Sequence, residues 1–468
     1  MTQLPVSRSV EAGRSRELLH GCLEAARAQS SGNPADFVWV QIDAPAAAPE
    51  ALLQRFPDRD CVLWNSPDGP QFAGIGVAHS IVGKGSRRFA DVRRRGAELW
   101  SRIRAQSSLR GALEGPRLFG GFAFSARAEI APAWAQFGSA RFVLPRVTYA
   151  QERGRAVLSL AVERCELDRG AASEHVQLLE HVYETVLENP KLEPACEPGS
   201  LSREESSAAE FRQRVDDILA AIAAGSLQKV VAAREVLLTC SRALDPVATV
   251  SALAEQALEC QRFLFRWGDT SFIGATPERL VRKRGRSLET EALAGSIDAR
   301  AESPERQLEA SIKELEEHEP VVAAIQRVLE PVCEEVRLPN RPSVKRLKHL
   351  LHLRTPIQAT LRSETHVLEL VERLHPTPAV GGVPTVAALD WISRCEPFDR
   401  GWYAGAVGWF DAFGDGDFNV ALRSGLMSGR QARLYAGGGI VRGSVASAEY
   451  EETMPKLAAM LSSLRARP

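Results

Sequence analysis

A lysine, a glutamate and two acidic helical segments hold most of the chemistry available to this 468-residue chain. Lys229 opens the apolar run Lys229-Val230-Val231-Ala232-Ala233. Its side chain either runs along its own stem to water or is buried. Burial would lower its pKa and let it act as a base near neutral pH. Glu278 follows Phe272-Ile273-Gly274-Ala275 and a Thr276-Pro277 turn, at the end of an apolar strand. It reads as a partner of Arg279 or another surface cation, or as a general acid whose pKa must then be raised. Glu317 and Glu452 sit in helical patterns among other acids, Glu314 and Glu316 in one, Glu449 and Glu451 in the other. Such runs are usually solvated faces. Two glutamates converging from distant helices would instead suit Mg2+, which takes one or two protein carboxylates and leaves its other positions to water and an anionic ligand. Ala436-Gly437-Gly438-Gly439-Ile440-Val441 reads as a glycine turn after an apolar strand. It lacks the Lys-Ser/Thr ending of a phosphate loop and the spacing of a dinucleotide fingerprint. Successive N–H groups in such a turn can hold a carboxylate.

The elements that position these groups follow from periodicity. Phe211, Val215, Ile218, Leu219 and Ile222 make one apolar stripe, which predicts a helix over 208–224, and Lys229–Leu238 reads as a strand. Further helices are expected at 87–104, 304–329, 367–374, 386–394 and 448–465. Strands are expected at 37–40, 61–64, 118–124, 262–266, 271–275, 402–410, 418–422 and 432–436. The segment from Glu188 to Ser207 is rich in Pro, Glu and Ser and reads as a linker. No fixed-period repeat is present, which argues against solenoids and propellers. Mixed α and β structure with mostly antiparallel strands is the expected class.

Composition excludes several functions. Lys plus Arg (58) nearly cancels Asp plus Glu (59), so no overall field draws the chain to nucleic acid or an anionic membrane. The basic cluster Arg93-Arg94-Arg95 reads as a solvated helix face. The N-terminus has no signal-peptide core, and no window reaches the ~20 apolar residues of a membrane span, so a cytoplasmic protein is the expectation. The eight cysteines are scattered without a C-x-x-C pair and read as reduced structural thiols.

Taken in order, the segments LQKVVAAREV, FIGATPERL, ALAGS, SIKELEEH, HLLHLRTPI, HPTPAVGG, RGWYAGAVGW, ALRSG, YAGGGIV and EYEETMPK resemble the chorismate-utilising enzymes, over about Ala208 to Leu464. The resemblance implies an α+β fold of two lobes, rich in antiparallel sheet, with helices on the outside and a buried active site. Residues 1–195 would form the N-terminal portion of that same fold, and 206–466 the chorismate-binding catalytic region. It implies that Lys229 activates water and that Glu278 protonates the leaving hydroxyl. Glu317 and Glu452 would hold Mg2+ on the ring carboxylate. Gly295, His352, Arg423, Gly437 and Lys456 would hold the substrate, with Arg423, Lys456 and the Gly437 amide region at the enolpyruvyl carboxylate.

Within the family three positions discriminate. Ala294 stands where some aminodeoxychorismate synthases carry a lysine nucleophile, so no amine adduct is expected. Lys229 stands where anthranilate synthases resemble one another in having glutamine, which points to water as the nucleophile. His375 to Ala379 (HPTPA) and Thr355-Pro356 resemble isochorismate synthases, whereas salicylate synthases tend to place threonine at the Ala379 position in the pocket wall. Glu314 replaces a usual Asp and Val380 a leucine of some relatives, which bears on substrate packing. The resemblance thus implies isomerisation of chorismate without a glutaminase subunit, and a monomer is the default expectation. The rival readings are a salicylate synthase, an anthranilate-synthase-like member of the same family and a catalytically silent chorismate-binding subunit. The long N-terminal third is similar to that of menaquinone-type enzymes rather than siderophore-type ones.

Overall fold

The structure, a computed structural model, describes Gly21 and residues 36–105, 113–126, 130–168, 172–193, 199–205 and 207–464. Its long strand Ala140–Glu152 is the root of two sheet paths. One runs through Gln71–Gly83, Cys61–Asn65, Gln261–Trp267, Thr270–Thr276, Ser424–Ser428 and Gln431–Ile440 to Lys229–Cys240. The other runs through Arg117–Phe122, Ala406–Asp411, Gly416–Val420, Arg279–Arg284 and Ser287–Asp298 to Leu350–Leu361. Every one of these pairings is antiparallel. Strands from the first 160 residues are therefore hydrogen-bonded directly to strands that follow residue 260, and the α+β, antiparallel-rich expectation holds. The Thr276-Pro277-Glu278 segment joins one path to the other, so Glu278 sits where the two paths meet.

Two helices complete the site. In Ile312–Leu329 the buried face is Glu314, Glu317, His318, Val321, Ile325 and Leu329, and in Ala446–Leu464 it includes Glu449, Thr453, Leu457, Met460 and Leu464. Each is an i, i+3/i+4 stripe that starts with a carboxylate and continues apolar. The acidic ends are at the helix N-termini, where the macrodipole favours negative charge.

Several expectations change. The helix expected over 304–329 is two, Pro304–Ala310 and Ile312–Leu329, because Ser311 leaves helical geometry to cap the second by accepting from Glu314 N. The strand expected over 402–410 begins only at Ala406. Gly401 (φ +52°) and Ala404 (φ +57°) turn the chain back on itself, which an extended strand cannot accommodate. Leu201–Glu205, inside the expected linker, is an edge strand on Lys229–Cys240, while residues 194–198 and 206 lie outside the described residues. The glycine run is no turn: Gly437, Gly438 and Gly439 are strand residues opposite Ala233, Ala232 and Val231. Arg94 and Arg95 are exposed and Arg93 pairs with Glu369, which fits the solvated face. Six cysteines are free thiols; Cys22 and Cys196 lie outside the described residues, as does Arg465 at the end of the last expected helix. Among the described residues no helix is long and apolar enough to cross a membrane.

Candidate active site

Glu278 is held by its backbone before its side chain does anything. Thr276 Oγ1 donates to the Val420 carbonyl at 2.6 Å and accepts from Glu278 N at 3.3 Å, and Val420 N donates to the Glu278 carbonyl at 3.1 Å. The side chain is buried (3% exposed) and forms no ion pair with Arg279, whose guanidinium goes to Asp68. Burial, reinforced by the nearby Glu291 charge and opposed by Lys229 and Lys345, pushes its carboxyl up to about 8. The surface-partner reading of Glu278 is thereby replaced by a buried acid that holds its proton at neutral pH.

Lys229 is also buried, 1% exposed, which removes the snorkelling reading. Its Nζ lies 3.1 Å from Glu317 Oε1 and 3.3 Å from the Glu317 carbonyl. The space for this pair exists because position 439 is glycine. A Cβ there would lie 2.2 Å from Glu317 Oε1 and 2.8 Å from Lys229 Cε. Gly439→Ala is therefore expected to destabilise the protein by about 1–3 kcal/mol, the usual cost of overpacking, and to depress turnover by splaying the pair. Thermal unfolding and steady-state rates of the variant check both.

The acids of the two helices converge. Ser296 N donates to Glu314 Oε2 at 2.7 Å and Ser296 Oγ donates to Glu452 Oε1 at 2.6 Å, so one residue touches both helices. Lys313 Nζ bridges them again, 2.9 Å from Glu449 Oε1 and 3.4 Å from Glu314 Oε1. Burial and then the Glu317 charge push the Glu314 carboxyl up to about 7. Burial and the Glu452 charge likewise raise Glu449. Glu452 is driven to about 2, because Lys456, Ser296 and Lys313 together outweigh its burial. The solvated-face reading fails for Glu314, Glu317 and Glu449, which are buried, while Glu316 and Glu451 are exposed.

This donor set fits a hard divalent cation. Glu314 is raised mainly by burial and then by the Glu317 and Glu452 charges, and Glu449 mainly by burial and then by the Glu452 charge, so the carboxylates of the two helices act on one another. Among the described residues no group of three or more His, Cys, Asp and Glu side chains is arranged to hold a metal by itself. Mg2+ does not require one, since it keeps waters and anionic ligand oxygens in most of its positions.

A cavity of about 80 Å3 is lined by Glu278, Gly295, Glu317, His352, Ala379, Arg423, Gly437 and Lys456. Lys229 and Glu452 stand one contact behind it, through Glu317 and Lys456. Arg423 adopts a left-handed backbone conformation, φ +48°, which is strained for a non-glycine residue and aims its side chain into the site. Its Nη2 lies 3.1 Å from His352 Nε2, and His352 Nδ1 lies 3.2 Å from the Gly295 carbonyl. Burial and then Arg423 push His352 down to about 3. The ring is neutral, donating from Nδ1 and accepting at Nε2. Lys456 Nζ donates to the Gly437 carbonyl at 2.8 Å and to Glu452 Oε1 at 2.7 Å. Because the glycines lie in a ladder, the nest of free amides expected of a turn does not form at Gly437. A larger groove of about 690 Å3, lined by Arg117, Lys283, His366 and Trp409 among others, holds none of the candidate residues.

Sequence reasoning assigns no role to Ser296, Lys313, Glu291, Lys345 and Tyr403. The i, i+3 spacing of Glu314 with Glu317, and of Glu449 with Glu452, places each pair on one helix face. That signal is present along the chain, but it does not say that the two faces meet. Tyr403 also lines the cavity, stacked on Tyr435 at 5.0 Å between centroids.

Comparison with known proteins agrees with this geometry. Residues 23–465 match the family model described as chorismate binding enzyme. The chain is 35% identical to the salicylate biosynthesis isochorismate synthase of Pseudomonas aeruginosa, covering 98% of this chain and 97% of that one. It is 32% identical to isochorismate synthase MenF of Bacillus subtilis, covering 86% and 87%. The structure of MenF, the menaquinone-specific isochorismate synthase from Escherichia coli, superposes with a TM-score of 0.77 at 26% identity, over 95% of this chain and 99% of that one. A full-length N-terminal third is thus shared with relatives named for salicylate as well as menaquinone, so its length does not separate the two. With the acid, the buried lysine and the acidic helix pair all in one site, and a family match over almost its whole length, the chain belongs to the chorismate-binding enzymes.

Proposed function

We propose that the protein is an isochorismate synthase, an isomerase that adds water at C2 of chorismate and expels the C4 hydroxyl, acting in the cytoplasm as a monomer without a glutaminase subunit. The observation that carries this reading is a buried glutamate, protonated at neutral pH, on a cavity also lined by Glu317, with the buried Lys229 paired to Glu317 directly behind it. Lys229 takes a proton from the attacking water and Glu278 gives one to the departing hydroxyl, so one water enters and one leaves. Glu317 and Glu452 would hold Mg2+, with Glu314 and Glu449 beside them. When bound, the ion would supply Lewis-acid chemistry at the ring carboxylate of the substrate.

Arg423 and Lys456 hold the enolpyruvyl carboxylate, arginine in the bidentate manner its planar fork allows. In the structure their polar atoms go to His352, Gly437 and Glu452, so binding exchanges internal partners for substrate oxygens. Gly295 matters through its conformation. Its φ of +77° and the approach of a Cβ to within 3.0 Å of the Glu314 carbonyl bar other residues from the wall beside the metal ligands. Neutral His352 orients Arg423 and contributes no charge of its own. Ala294, with no amine to offer, leaves water as the nucleophile.

The reaction is expected to stop at isochorismate. Loss of pyruvate requires the enolpyruvyl group to be held against the ring hydrogen it takes up. Ala379 and Val380, small and apolar, line the wall that would provide such support. Purified protein, chorismate and Mg2+ are assayed with lactate dehydrogenase as reporter of pyruvate, with and without an added isochorismatase. Pyruvate should appear only with isochorismatase. Its release without isochorismatase, in step with salicylate fluorescence, would make the protein a salicylate synthase. No turnover at all would make it a binding subunit.

A further inference from the structure

The turn that carries Glu278 is a wall between two spaces. Pro277 and Glu278 line the central cavity, while Thr276 and Pro277 also line a separate cleft of about 520 Å3 together with Glu291, Lys345 and Arg354. Glu291, on the strand Ser287–Asp298, is buried at 6% exposure. Its Oε1 accepts from Arg279 N at 3.1 Å and faces Lys345 Nζ at 3.4 Å, and its Oε2 accepts from Arg354 Nε at 2.5 Å. Lys345, on the strand Ser343–Arg346, has a second partner, the carbonyl of Pro277, which immediately precedes the acid.

Stability alone does not explain this cluster. Buried ion pairs lose most of their attraction to desolvation, and well-packed apolar side chains often replace them without loss. Its placement has a sharper consequence, since it sets a fixed anion and a fixed cation directly behind one carboxyl group. Burial works to raise the Glu291 carboxyl, but Lys345 and Arg354 outweigh it and hold Glu291 low, so it stays charged while Glu278 is protonated.

We propose that Glu291 and Lys345 are positioning residues for Glu278. Glu291 supplies a standing negative charge behind the acid, and Lys345 ties the Pro277 carbonyl, and with it the turn, to that charge. The inference rests on the reading of Glu278 as the general acid. The two residues act on the proton of Glu278 with opposite signs, Glu291 favouring the protonated form and Lys345 the ionised form. The other charged or titratable groups about the cavity are Glu317, His352, Arg400, Tyr403, Arg423, Tyr435 and Lys456, with Lys229 behind Glu317, and Arg279 is engaged by Asp68 and Asp417.

The test is an infrared difference titration of the protein with Mg2+, following the protonated carboxyl signal that is missing from Glu278→Gln, alongside the pH dependence of kcat. In Glu291→Gln the midpoint of that signal and the alkaline limb of kcat should both move down by about one pH unit, about tenfold in rate above the limb. In Lys345→Met both should move up. A side chain that merely braced the fold would lower activity without moving the two midpoints in opposite directions. Unmoved midpoints, or shifts of the same sign, overturn the proposal. Should Glu291→Gln not fold, the upward shift in Lys345→Met is still required. Failure of the acid reading would look different, as near-normal turnover in Glu278→Gln itself.

Discussion

Glu278→Gln is expected to lower kcat by at least ~100-fold, the scale of a lost general acid, while chorismate still binds. The substitution keeps the size of the side chain and removes the proton that the departing hydroxyl needs. It adds little strain, since Glu278 forms no ion pair and its backbone is fixed by Thr276 and Val420. The pH dependence of the wild type follows from the same group. Its carboxyl is raised to about 8, mainly by burial, so the acid is loaded below that pH and empties above it. Turnover should therefore fall as pH rises through about 8, and Glu278→Gln should lack that limb. Lys229→Ala should cost turnover on the same scale of at least ~100-fold. It also strands Glu317 in a buried site, which costs about 3–5 kcal/mol when a buried pair is broken, so Lys229→Gln is the cleaner comparison. Steady-state rates with circular dichroism check both, and near-normal turnover in Lys229→Gln would remove lysine from the chemistry.

Replacing either proposed metal ligand should have an equally large effect by a different route. Glu317→Gln and Glu452→Gln each remove one anionic oxygen donor, and activity with Mg2+ should be abolished with the fold intact. Both variants leave their lysines a hydrogen-bond acceptor. Lys229 keeps the Glu317 main-chain carbonyl and an amide oxygen, and Lys456 keeps the Gly437 carbonyl. Calorimetric titration with Mg2+ separates lost binding from lost chemistry. Full turnover in excess chelator, or wild-type Mg2+ affinity in both variants, would overturn the metal assignment.

Local pattern along the chain makes part of this site legible. The apolar run after Lys229, the strand before Glu278 and the stripe over 208–224 each follow from neighbours within a few residues, and all form the expected elements. The ordered set of motifs carries the family, because each motif is a contiguous string. What local pattern cannot convey is direction. A helix with Glu314, Glu316 and Glu317 in sequence reads as acidic whichever side faces water. Only packing, of Glu314 against the Ser287–Asp298 strand and of Glu317 against Lys229 and Gly439, buries these two and leaves Glu316 exposed. Three consecutive glycines read as a turn because glycine is the usual turn residue, yet here it is the absence of a Cβ beside Glu317 and Lys229 that a strand required.

Residue types, the α+β class and the family depend on spacing along the chain, and for these the amino-acid order suffices. It took the packed fold to establish that Lys229 is buried against Glu317, that two acidic helix ends 135 residues apart share Ser296, and that Glu291 and Lys345 stand behind Glu278. Those are contacts between elements far apart in the chain, and the burial and charge that tune an acid or gather carboxylates arise only when such elements meet.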